Sequence, residues 1–168
     1  MGGTDVSDDH FGAALAAGDF NADNKADLAI GAPKKNAGGF TNSGEVRVIY
    51  GSATGLSTTV RNVQVFRDSS GSQTEARFGS SLTAWNFGRN ECPGGASFCL
   101  LTQIQRTADL AIGSPYRNVN GLSDAGSVNV LYGSVVSNGL TGTNRQVFTA
   151  DSIGFGGLAG AHFGASMY

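Results

Sequence analysis

Four sequence blocks recur in fixed order within this 168-residue chain, and that internal repeat constrains the fold more than any other feature. Phe11-Gly12-Ala13-Ala14-Leu15 returns as Phe78-Gly79-Ser80-Ser81-Leu82, and again as Phe163-Gly164-Ala165-Ser166-Met167. Ala26-Asp27-Leu28-Ala29-Ile30-Gly31-Ala32-Pro33 matches Ala108-Asp109-Leu110-Ala111-Ile112-Gly113-Ser114-Pro115. The segment from Gly44 to Ser52 matches that from Gly126 to Ser134, and Gln64-Val65-Phe66 matches Gln146-Val147-Phe148. The first block is displaced by 67 residues and the other three by 82, so the second unit carries 15 extra residues between its first and second blocks. Two complete units and the opening of a third follow, divided at 1–77, 78–161 and 162–168, with a Cys-containing insert at 87–107.

Each block reads as a β-strand. Val46, Val48 and Tyr50 alternate with Glu45, Arg47 and Ile49, and Val128, Val130 and Tyr132 repeat the pattern, which is the period of a strand rather than a helix. Gly31-Ala32-Pro33 and Gly113-Ser114-Pro115 end the second strand of each unit. With 26 Gly and only three Glu and three Lys, the composition suits turns far better than helices. The expected class is all-β: propeller blades of four antiparallel strands, two complete, plus the first strand of a third. A closed ring needs roughly 4 to 8 blades, so it forms only by oligomerisation or within a longer chain.

A net charge of −2 lacks the basic signature of a nucleic-acid binder. No apolar run reaches the ~18 residues of a membrane span, and no signal peptide opens the chain. Cys92 and Cys99 close a short disulfide in an oxidising compartment or remain two free thiols.

Between the first two strands, Asp19, Asn21, Asp23 and Asp27 place oxygen side chains at alternating or near-alternating positions, with the Lys25 carbonyl available to fill the gap. Hard oxygen donors in this number suit Ca²⁺ better than Mg²⁺, which keeps a small octahedral shell. An EF-hand is excluded because its twelfth loop position, the bidentate Glu, is Ile30 here, and a strand follows where a helix is needed. The rival reading is a solvated Asp/Asn turn that binds nothing. In the second unit Asn86 aligns with Asp19 and Asp109 with Asp27, but the residues between are replaced by the insert, so no metal is expected there.

Phe11-Gly12 and Gly31-Ala32-Pro33, with Asp19-x-Asn21-x-Asp23-x-x-x-Asp27 between them, resemble the FG-GAP repeat of integrin alpha subunits and related cell-surface proteins. The resemblance implies a β-propeller with calcium-rigidified hairpin loops. It also implies an extracellular or cell-surface role in protein or glycan recognition and adhesion, in assembly with neighbouring blades or further copies. A purely structural self-assembling propeller fragment, or an accessory module of a larger secreted hydrolase, is the alternative.

No enzymatic reading gathers support. His10 and His162 each precede a Phe-Gly, so the repeat accounts for their positions, and no Gly-x-Ser-x-Gly elbow occurs. Gly154-Phe155-Gly156-Gly157-Leu158-Ala159 resembles a dinucleotide fingerprint only superficially, having no helical continuation. Trp85, Tyr116 and Phe40 are expected in packing, with Phe40 the most exposed, and Tyr50, Tyr132, Phe66 and Phe148 between blades.

Overall fold

The computed structural model describes residues 8–68, 71, 73–88 and 107–167. Cys92 and Cys99 lie outside the described residues, as does most of the insert. The chain is all-β, with one turn of 3-10 helix at Asp151–Ile153 among the described residues. Among the described residues, nine strands form two antiparallel sheets.

The first sheet contains β1 (Ala14–Gly18), β2 (Asp27–Ala32) and β3 (Glu45–Ser52) in that order. Its fourth position is shared by β4 (Gly55–Ser57) and β5 (Gln64–Phe66), which pair with opposite ends of β3. The second sheet runs β6 (Ser81–Trp85), β7 (Asp109–Ser114), β8 (Ser127–Ser134) and β9 (Gly139–Phe148). Equivalent residues keep equivalent partners, with Gly31 opposite Val46 and Gly113 opposite Val128. The fourth strand is split in the first sheet but runs through in the second, where a bulge between Val130 and Tyr132 absorbs the irregularity. Each unit is therefore a four-position antiparallel sheet of the propeller-blade kind.

The main core lies between the sheets. Ala29, Val46, Val48 and Tyr50 from the first sheet meet Leu82, Leu110, Ile112 and Leu131 from the second, all buried. Alternation puts these side chains on one face of their strands, and neither sheet could bury that face alone. On the opposite face of the second sheet, Ala111, Val130 and Tyr132 form a smaller cluster with Val128, Phe148 and Met167. These residues are the repeat equivalents of Ala29, Val48, Tyr50, Val46 and Phe66, apart from Met167.

Phe-Gly belongs spatially to the joint between units. Phe78 is 0% exposed and pairs by an isolated parallel bridge with Gly44 of the first unit, whereas Phe11 is 54% exposed. A Cβ on Gly31 would collide with the Gly79 carbonyl, and one on Gly113 with the Gly164 carbonyl. The glycine of each Gly-Ala-Pro or Gly-Ser-Pro turn thus provides the clearance for the next Phe-Gly. The third unit's opening docks likewise, Phe163 bridging Gly126.

A polar latch adds direction to this packing. The Tyr50 hydroxyl donates to Gln64 Oε1 and accepts from Leu140 N–H at 3.1 Å, while Gln64 Nε2 donates to the Leu140 carbonyl at 3.2 Å. The Arg61 guanidinium lies 4.0 Å from the Tyr50 ring centroid. Burial pushes the Tyr50 hydroxyl up to about 12, although the Leu140 N–H and the Arg61 charge act against it.

Trp85 is not in packing as expected: it is 73% exposed, more than Phe40 at 41%. It occupies the last position of β6, at the open end of a sheet-edge strand, equivalent to Gly18 of the first unit.

Candidate metal loop

The Asp19–Asp27 segment joins β1 to β2, and a hydrophobic anchor fixes it. Phe20 is fully buried in the inter-sheet core. Backbone bonds fasten the same point to the second unit: Ala108 N–H donates to the Asp19 carbonyl at 2.7 Å and Ser134 N–H to the Phe20 carbonyl at 3.3 Å. Asn21 Nδ2 reaches Asn138 Oδ1 at 3.4 Å. The loop is held by both sheets.

Within the loop the carboxylates fold the backbone around themselves. Asp19 Oδ1 accepts from Asn21 N–H at 3.3 Å and Asp23 N–H at 3.1 Å, and Asp19 Oδ2 accepts from Asn24 N–H at 2.8 Å. Asp23 Oδ1 accepts from Lys25 N–H at 2.9 Å, while its Oδ2 accepts from Asn21 Nδ2 at 3.2 Å. The Lys25 ammonium stands 3.6 Å from Asp23 Oδ2. Asn24 adopts left-handed backbone at φ 61°, as its sequence position suggests, and Ala22 does so at φ 58°. For Ala that conformation costs about 1–2 kcal/mol, so the surrounding contacts hold the loop in a shape its own sequence disfavours.

Asp27 has a different task. Its Oδ2 accepts from Phe20 N–H at 2.8 Å and its Oδ1 from Gly51 N–H at 2.9 Å, tying β1, β2 and β3 together. Burial raises its carboxyl above the ordinary value, the two N–H donors pull it down, and the charges of Asp23 and Asp19 push it up again. Asp109 makes the same pair of bonds in the second unit, to Phe87 N–H at 2.7 Å and Gly133 N–H at 2.9 Å. Asn86 there keeps the first turn, accepting Gly88 N–H at 3.1 Å as Asp19 accepts Asn21 N–H.

The donor chemistry of Asp19, Asn21, Asp23, Asp27 and the Lys25 carbonyl fits a hard divalent cation. Three carboxylates close enough to perturb one another are better tolerated beside a positive ion than alone. Among the described residues no three His, Cys, Asp or Glu side chains already converge to chelating distance, because backbone N–H groups cap Asp19 and Asp23. Phe20, Ala22 and Asn138 were not singled out from the sequence, although Phe20 is repeated as Phe87 and so carried a readable signal.

Comparison with known families decides what this loop sits in: residues 11–49, from Phe-Gly through the loop into β3, match the model of the FG-GAP repeat. The chain carries an FG-GAP repeat. Phosphatidylinositol-glycan-specific phospholipase D of Mus musculus is 32% identical over 120 residues, which is 71% of this chain and 12% of that protein. The Homo sapiens protein of the same name is 32% identical over 125 residues, 73% of this chain and 13% of that protein. The chain spans about an eighth of the length of these relatives. The likeness extends well beyond the matched FG-GAP repeat, as the internal repeat requires.

Proposed function

We propose that the chain is a non-catalytic, calcium-stabilised FG-GAP propeller module that serves extracellular recognition of protein or glycan. The observation that carries this reading is the Asp19–Asp27 loop, whose oxygen donors are assembled at the joint between two blades and anchored there by Phe20 and the Asp19 carbonyl. Asp19, Asn21, Asp23, Asp27 and the Lys25 carbonyl would hold the ion. When bound, Ca²⁺ supplies positive charge that offsets the carboxylates and cross-links the loop. Isothermal titration with Ca²⁺ and, separately, Mg²⁺ tests it: heat of binding for Ca²⁺ in the parent, absent in Asp23→Ala, is expected, and a parent without binding contradicts it.

The relatives favour one refinement. They are named as a phospholipase specific for phosphatidylinositol-glycan, and an accessory propeller module within a larger secreted hydrolase fits a chain that spans an eighth of such a protein. On this reading catalysis resides elsewhere. Assaying this chain against a phosphatidylinositol-glycan substrate is expected to give no turnover, and turnover abolished by a substitution within the chain would overturn it.

The second sheet's Val128, Val130, Tyr132 and Phe148 face supports assembly with further blades, from copies or neighbouring sequence. Its equivalent in the first sheet is the face that the second sheet covers.

A further inference from the structure

At the end of β1 remote from the metal loop, a cavity of about 430 Å³ opens where three successive units meet. His10, Lys34 and Arg77 line it from the first unit, Tyr116 from the second, and His162 from the third. His10, Arg77 and His162 are repeat equivalents, each standing immediately before a Phe-Gly. All three hold left-handed backbone, at φ 53°, 54° and 50° respectively. Gly or Asn adopts that conformation with the least penalty. The turn therefore fixes where the side chain goes, and the chain supplies a cationic or protonatable group at every one of the three positions.

The groups around the cavity form one connected set. The Arg77 guanidinium lies 4.3 Å from the Tyr116 ring centroid, and that ring is 4.7 Å from the His162 ring. Arg77 Nε is buried without a hydrogen-bond partner, leaving a guanidinium donor unsatisfied. Arg77 Nη2 pairs with Glu75 at 3.3 Å, and Glu75 also accepts from Asn42 Nδ2 at 2.7 Å. On the other side Asp8 lies 3.2 Å from His10 Nε2 and 3.9 Å from Lys34 Nζ, with 77% of its side chain exposed. Lys35 and Asp9 close a neighbouring pair at 2.7 Å. Lys34 and Arg77 each stand beside a carboxylate, Asp8 and Glu75 respectively. His10 and His162 add two imidazole rings to the same wall, each able to donate a ring N–H.

We propose that this cavity binds a small oxyanion, the sulfate, phosphate or carboxylate group of a ligand, between His10, Arg77 and His162. Asp8, whose side chain is exposed and 3.9 Å from Lys34 Nζ, is a weak competitor for that ammonium. The site depends on neither calcium nor the function of the opposite loop.

The test is isothermal titration of the whole chain with sodium sulfate at fixed pH and ionic strength. A parallel titration with acetate separates a carboxylate ligand from a tetrahedral one. At least one of the two anions is expected to bind, and the paired variant His10→Gln with His162→Gln, and separately Arg77→Gln, to weaken that binding about tenfold. Circular dichroism of each variant confirms that the sheets persist. Absence of binding by both anions, or unchanged affinity in either folded variant, overturns the proposal.

Discussion

At the residue scale, one aspartate in each unit does the same structural work whether or not a metal loop accompanies it. Asp27 and Asp109 each use both carboxylate oxygens on backbone N–H groups of the preceding loop and the end of the third strand. Asp109→Ala leaves two such N–H groups without acceptors and is expected to destabilise the fold by about 2–5 kcal/mol, with no change in calcium affinity. Asp27→Ala is expected to lose stability and calcium binding together, whereas Asp23→Ala loses calcium binding with little change in calcium-free stability. Urea unfolding with and without calcium distinguishes the three. The sequence pattern showed Asp27 as an oxygen donor but not its bonds to Phe20 and Gly51, because those depend on which strand lies alongside. Its match to Asp109, in a unit whose sequence lacks counterparts of Asn21 and Asp23, was the readable sign of a second role.

Tyr50 gives this scale a pH dependence. Burial raises its hydroxyl to about 12, so the folded state retains the proton more strongly than the unfolded chain. Its contribution is fully present below about pH 10, the ordinary tyrosine value, and is lost as pH rises toward 12. Alkaline unfolding monitored by circular dichroism is expected to begin above about pH 10, and Tyr50→Phe to make that limb shallower. An identical alkaline limb in the variant contradicts the assignment.

At the element scale, the Phe-Gly step is the joint between blades rather than a decoration of the blade it opens. Phe78 is enclosed by the first unit and Phe11 is exposed, so the same residue type predicts opposite outcomes. Phe78→Ala is expected to cost about 3–5 kcal/mol through lost contacts and a cavity, and Phe11→Ala under about 1 kcal/mol. Comparable losses measured by chemical denaturation would contradict this. The recurring blocks made β1, β2, β3 and β5 legible, and their order showed four strand positions per unit. The short β4 was hidden because Gly55-Leu56-Ser57 recurs as Gly139-Leu140-Thr141 at an offset of 84, not 82. Two extra residues in the preceding hairpin loop of the second unit are offset by two fewer before Gln146, so a fixed-offset comparison misses the strand. Trp85 was misplaced for a related reason: alternation assigns a face to a strand residue but does not say that the strand's last position clears the neighbouring sheet.

At the scale of the whole molecule, each sheet presents one face like that of its neighbour's front and one like its back. The Leu82, Leu110, Ile112 and Leu131 face covers the first sheet, while the Val128, Val130, Tyr132 and Phe148 face is the equivalent of the one being covered. Stacking of this head-to-tail kind continues until it closes. Sedimentation equilibrium is expected to show self-association beyond the 17.1 kDa chain as concentration rises, and a monomer at every concentration contradicts assembly through copies. The proposed calcium loop belongs to the same architecture, since it is clamped between the sheets by Phe20, Ala108 and Ser134. Thermal unfolding in calcium against chelator, for the parent and Asp23→Ala, therefore decides whether the loop is a calcium site. At a hundredfold excess over Kd, the parent is expected to gain about 2.7 kcal/mol, or roughly 5–10 °C in Tm, and Asp23→Ala to gain nothing. A parent that melts at the same temperature in calcium and in chelator contradicts the account.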